Sequence, residues 1–146
     1  MSSFEHKHTK FDLQKIAIVY SHMARPSSIY EQQGKLSFDI KISQEHDEEQ
    51  KLVFVSLLVT SHDKGEEDKK LELKIKAEAT FAILNISEDK GLALDYFTNV
   101  NAPAIIYPYI RQHATYLSLQ AGTINPIILP ILNFVDLYDN QKKETP

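Results

Sequence analysis

The chain has 146 residues, 42% hydrophobic and 25% charged, with a formal net charge of −4. That length buries one respectable core and leaves no room for a second domain of ordinary size. The absence of cysteine excludes disulfide staples and thiolate metal sites, and two arginines, Arg25 and Arg111, on an acidic chain argue against nucleic acid as a partner. No apolar run approaches the roughly 20 residues of a membrane span, and the first residues lack the apolar core of a signal peptide, so the expected setting is the cytoplasm without membrane insertion.

Residues 1–10 read as a flexible N-terminal tail, residues 11–140 as one domain and residues 141–146 as a flexible C-terminal tail. The first strand, residues 11–23, places Ile16, Ile18 and Tyr20 on one face and Ala17 and Val19 on the other. Its apolar character and few charges mark an edge that must be paired, so Ile16 and Ile18 are candidate subunit contacts. A longer excursion opens at Arg25 and Pro26. Residues 35–43 alternate next, burying Leu36, Phe38, Ile40 and Ile42, and residues 52–60 are apolar on both faces, as in a central strand covered on each side. The clearest alternation is residues 71–83, with Leu71, Leu73, Ile75, Ala77, Ala79, Phe81 and Ile83 on one face. The connections at 44–50 and 62–69 are short and charge-rich, which suits hairpin turns.

After Ile86 the period changes. Residues 87–99 are mixed, and Asn101 with Pro103 marks a helix start, because asparagine caps free amides and proline is tolerated in the first turn. The helix is expected to reach about Gln120, stop at Gly122 in the left-handed conformation and kink at Pro108. A short second helix is expected over 135–140. Between the helices, Ile127, Ile128, Leu129, Ile131 and Leu132 crowd a loop. Loops cross the surface, where their backbone is hydrated, so this one needs cover from the domain, a second subunit or an apolar client.

The sequence holds little that catalysis would need. The six histidines, His6, His8, His22, His46, His62 and His113, include no pair at metal-ligand helical spacing, and the acidic runs at 47–49 and 66–68 lack the alternating ligands and glycine of a calcium loop. There is no glycine-rich phosphate loop and no serine in a nucleophile elbow, so neither an enzyme nor a cofactor is expected.

The C-terminal third carries Ala102-Pro103, Ile105-Ile106, Tyr107-Pro108-Tyr109, Arg111, Gly122, Leu129-Pro130 and Asn133-Phe134 in that order. This series resembles the signature of the SecB family of export chaperones. The resemblance implies an α+β fold, a four-stranded antiparallel sheet followed by a long kinked helix and a short C-terminal helix. It also implies a homotetramer, a dimer of dimers, that holds unfolded polypeptides without ATP. By the same resemblance Ile127, Ile128, Leu129, Ile131, Leu132, Phe134, Leu137 and Tyr138 border the apolar groove where clients bind. Tyr109, His113 and Tyr116 join Ile16 and Ile18 as candidate interface residues, and Arg111 either pairs with a carboxylate across the assembly or faces water.

One departure bears on partners. The positions at which export members carry acidic side chains toward the SecA motor fall at Tyr20 and Ala24 on the first strand, and the leucine and acidic positions of the fourth fall at Glu72 and Lys74. Reversing or deleting such charge weakens a contact. Delivery to a SecA-type motor is therefore left open, beside a SecB-like interaction scaffold or a dedicated chaperone, for example of an antitoxin.

Overall fold

The computed structural model describes residues 3–6, 9–25, 37–62, 71–84, 90–123 and 126–144. Two-residue alternation in the first part of the chain builds one antiparallel sheet from β1 (Ser3–His6), β2 (Thr9–Ala24), β3 (Ser37–Asp47), β4 (Leu52–His62) and β5 (Glu72–Leu84). The order across the sheet is β1-β2-β5-β4-β3. The sequential strands β3, β4 and β5 lie side by side, and β2 pairs with β5, so the four long strands form a Greek key. The short β1 adds to it, pairing Ser3–His6 with Thr9–Asp12 in a segment read from sequence as tail. The excursion after Arg25 and the turn after His62 lie outside the described residues, as does Leu36.

Register decides which side chains face the helices. β5 buries Leu73, Ile75, Ala77, Ala79, Phe81 and Ile83, and β4 buries Val53, Val55, Leu57 and Val59. β4 is central, as expected, but helices cover only one of its faces: Phe54 looks outward and is 37% exposed. On β2 the pairing slips between Leu13 and Lys15 and again between Ile18 and Tyr20. Ile16 and Ile18 lie opposite Ala79 and Ala77 on the inner face, and past the second slip Tyr20 lies opposite Lys76 on the outer face. Strict alternation had grouped Tyr20 with the isoleucines; the extra residue of a β-bulge reverses the faces beyond it.

The helical layer begins earlier than its sequence signals imply. α1 (Lys90–Tyr96) passes through a π-helical turn (Phe97–Asn101) into α2 (Ala102–Gln120). Asn101 is therefore not a cap: its φ of −71° and ψ of −47° are helical and its side chain makes no capping bond. The cause is Pro103, which lacks an N–H and crowds the carbonyl four residues back, so a wider turn accommodates it and Ala102 N–H bonds Phe97 O instead. The added residue keeps one face buried: Ala93 and Phe97 are four apart, Phe97 and Ala102 five, and Ile106, Ile110, Ala114 and Ser118 follow at intervals of four. Phe97 stacks on Phe11 at 3.9 Å between ring centroids and meets Phe81 edge-on at 4.8 Å, which ties the helices to β2 and β5.

The stop at Gly122 is as expected. Gly122 has φ +75°, its N–H bonds Leu119 O, and Thr123 N–H bonds Ser118 O, the paired bonds of a Schellman motif. Pro108 lies inside α2, where it removes one internal donor. The final helix, α3 (Phe134–Glu144), is longer than residues 135–140 and extends into the expected C-terminal tail.

Candidate functional site

α2 reaches across to the segment before α3 with side chains rather than backbone. Tyr107, Arg111, Thr115 and Ser118 stand at helical intervals that place them in a row along one side of α2. Tyr107 Oη donates to Pro130 O at 2.6 Å, Arg111 Nε to Leu129 O at 3.0 Å and Thr115 Oγ1 to Ile127 O at 2.7 Å. Ser118 Oγ accepts from Ile127 N at 2.8 Å. The segment has no helix or strand of its own, so these four side chains hold the inner edge of its backbone. Burial raises the Tyr107 phenol above its ordinary pKa, and the Arg111 charge opposes that shift, so the hydroxyl keeps the proton it donates.

With its backbone fixed, the segment sorts its aliphatic side chains. Leu129 is 1% exposed and belongs to the core, Ile127 and Leu132 pack against the core, and Ile128 and Ile131 are 70% and 83% exposed. Asn133 then caps α3, its Oδ1 accepting from Val135 N at 3.0 Å and Asp136 N at 3.2 Å. Phe134 is buried edge-on against Tyr107, and Tyr138 sits edge-on against Tyr96 while its hydroxyl donates to Asp95 on α1. That bond raises the Tyr138 phenol above its ordinary pKa. Val135 and Leu137, on the two flanks of that packed side of α3, are exposed.

The eight candidate client contacts therefore divide. Ile128, Ile131 and Leu137 present apolar surface, Ile127 and Leu132 present part of theirs, and Leu129, Phe134 and Tyr138 fasten the loop and α3 to the body. Burial removes Leu129 and Phe134 from direct reach of a client in this conformation. Val135 was not foreseen, although its place one turn from the loop would have indicated it.

The candidate interface residues divide as well. Tyr109 and Tyr116 are 49% and 53% exposed on the side of α2 away from the sheet, with Leu119 nearby at 60%. His113 lies between them, 6.3 Å from the Tyr116 ring, with a buried Nε2 that has no hydrogen-bond partner among the described residues. Ile16 and Ile18 instead pack half-buried against the core. They support β2 from within, and its backbone edge beyond the short β1 is what another strand would meet.

The positions of the charge departure converge on the open sheet face. Tyr20 and Lys76, His22 and Lys74, and Ala24 and Glu72 are cross-strand pairs, His22 Nε2 lies 3.1 Å from Glu72 Oε2, and Lys74 Nζ stands 5.9 Å over the Tyr20 ring. Among the described residues, no group of histidines and carboxylates could hold a metal ion, and no helix is long and apolar enough to cross a membrane.

A four-stranded antiparallel sheet followed by a long helix and a short C-terminal helix is the fold of SecB-like chaperones. Residues 6–145 match the family model described as preprotein translocase subunit SecB, and the chain belongs to the SecB family. It is similar in structure to the Mycobacterium tuberculosis Rv1957 SecB-like chaperone, solved in complex with a ChAD peptide from the Rv1956 HigA1 antitoxin. The two are 15% identical with a TM-score of 0.67, over 84% of this chain and 88% of that one. A protein of unknown function from Streptococcus agalactiae aligns with a TM-score of 0.44 at 11% identity, over 84% of this chain and 98% of that one. No curated protein sequence matches. Family membership places the chain among non-enzymatic chaperones.

Proposed function

We propose that this chain is an ATP-independent holdase of the cytoplasm, a homotetramer that keeps non-native polypeptides apart by binding them along the 127–132 loop and the exposed flanks of α3. The observation that carries this reading is the exposure of Ile128 and Ile131 on a backbone that α2 fastens in place. Flexible loops bury what apolar surface they can; a fastened one keeps it available, and binding to a preorganised surface avoids part of the ordering cost. Fully burying a side chain of this size contributes about 1.5–3 kcal/mol, so a few such contacts give useful affinity for any aliphatic segment. The exposed Tyr109, Tyr116 and Leu119 stripe supplies the apolar face for tetramer packing, and the β2 edge supplies strand pairing within a dimer.

A dedicated chaperone not coupled to SecA is favoured over an export factor by one observation, the open sheet face. Where export members carry acidic groups there is Tyr20 and Ala24, with Lys74 over the Tyr20 ring. The M. tuberculosis relative in complex with an antitoxin peptide supports a polypeptide client of that kind. An interaction scaffold without client binding is the remaining alternative. Suppression of aggregation of an unrelated chemically unfolded protein, at a stoichiometry near one tetramer per client, tests the proposal. Aggregation unchanged by excess tetramer would leave only the scaffold reading.

A further inference from the structure

Beside the fastened loop lies a shallow concavity of about 250 Å³ lined by Pro108, Arg111, Gln112, Thr115, Ile128 and Leu129. Ligand pockets usually run about 300–1,000 Å³, so this one takes a single side chain rather than a whole ligand. Its chemistry is uneven. Its lining combines the largely exposed aliphatic Ile128 with the cationic Arg111. Arg111 spends its Nε on Leu129 O, and no carboxylate pairs with the guanidinium among the described residues. Among the described residues no acidic one lines the concavity, on a chain whose net charge is −4. A part-buried guanidinium fixed by one of its five donors presents the rest at a set angle, the geometry that carboxylates match with paired hydrogen bonds.

From this charge complementarity we infer that the Arg111 concavity is a subsite for an acidic side chain of a bound client, an Asp or Glu flanked by aliphatic residues that lie on Ile128 and Ile131. The inference rests on the holdase reading and deepens it. The aliphatic contacts alone accept any apolar segment, and the Arg111 subsite would give preference and register among them.

The test uses the full chain and two fluorescein-labelled peptides with blocked ends, identical except for glutamate or glutamine between leucines. Blocked ends leave the side chain as the only source of a carboxylate. Anisotropy titration of the wild type is expected to give about tenfold tighter binding of the glutamate peptide, with the preference shrinking as salt rises. Gln112→Glu places a carboxylate in the concavity without touching the Arg111 bond to Leu129, and is expected to erase the preference for the glutamate peptide. Arg111→Gln should erase it too. Equal affinities for the two peptides in the wild type, or a preference that survives both substitutions, would overturn the subsite. Light scattering that shows Arg111→Gln breaking the assembly, with no peptide preference in the wild type, would assign the carboxylate to a second copy and overturn it also. If neither peptide binds while aggregation is still suppressed, the subsite fails alone; if suppression is absent as well, the holdase reading fails with it.

Discussion

β4 and the 127–132 loop are both nearly unbroken aliphatic runs, yet they end in opposite states. Val53, Val55, Leu57 and Val59 are at most 1% exposed, while Ile128 and Ile131 are 70% and 83% exposed. Composition does not separate them; backbone partners do. β4 has a strand on each side, so its alternate residues are committed to the inner face and the helices close over them. Among the described residues the loop has a partner on one edge, a row of α2 side chains, and this fixes the chain while leaving half of its side chains directed outward. Aliphatic surface in the first case is spent on folding, and in the second it is held back for a partner.

The sharpest way to break that comparison is to cut into the buried side. Phe97 joins the helical layer to Phe11 and Phe81. Phe97→Ala is expected to cost about 3–5 kcal/mol in denaturant titration, the range for a buried phenylalanine that leaves a cavity. A loss below about 1 kcal/mol would show that the core closes over the gap and is not the rigid side of the comparison.

Ser118→Ala acts on the fastening itself. Ser118 is fully buried, accepts from Ile127 N–H and donates to Thr115 O, so its removal strands a donor. The expected loss is about 1–3 kcal/mol, with faster amide exchange at Ile127 before the helices respond. Uniform exchange across α2 and the loop would mean that the two are one cooperative unit.

On the exposed side, Ile128→Ser with Ile131→Ser should leave stability within about 0.5 kcal/mol, since exposed positions contribute little to folding. Affinity for an unfolded client should fall about tenfold, equivalent to about 1.4 kcal/mol. Thermal unfolding beside titration of a fluorescent client separates the two quantities. A steep drop in melting temperature with no separable binding defect would return these residues to the core.

How far the sequence disclosed this division depends on which interaction governs each part. Period-two alternation exposed β3 and β5 because burial on one face leaves a local imprint, whereas β4 showed as a run apolar on both faces, which hid that only one of them is covered. It failed at Tyr20, where a bulge inserts a residue without any glycine or proline to announce it, and at Lys90, where residues 87–99 hid a helix that a π turn brings into phase with α2. Ala93, Phe97 and Val100 carry helical spacing, but Asn101 and Pro103 are strong start signals and mask it. The loop was conspicuous, whereas its assignment residue by residue was not, because whether Leu129 or Ile128 turns inward is set by Arg111 and Thr115 from a distant element. The intervals from Tyr107 to Arg111, Thr115 and Ser118 were visible as one helix side, and nothing local showed what they would reach.

The smallest expected effect concerns how α3 stays on the body. Tyr138 donates to Asp95, its ring meets Tyr96 edge-on, and Lys142 Nζ stands 4.5 Å over it. The bond to Asp95 is the main reason that the phenol lies above its ordinary value of 10.0, and a bond with Lys142 pulls the other way. A folded-state pKa above the unfolded one means that the contribution is fully present below pH 10.0 and is lost as pH rises through the folded value. Tyr138→Phe keeps the ring and removes the hydroxyl, so it should cost about 0.5–1.5 kcal/mol at neutral pH. The gap in melting temperature between wild type and variant should then close in alkaline buffer, because the wild type loses the same bond by ionisation. A gap that stays constant across that range would mean that α3 is held by ring packing and by the burial of Phe134, and that the hydroxyl of Tyr138 is incidental to keeping the apolar side of α3 in place.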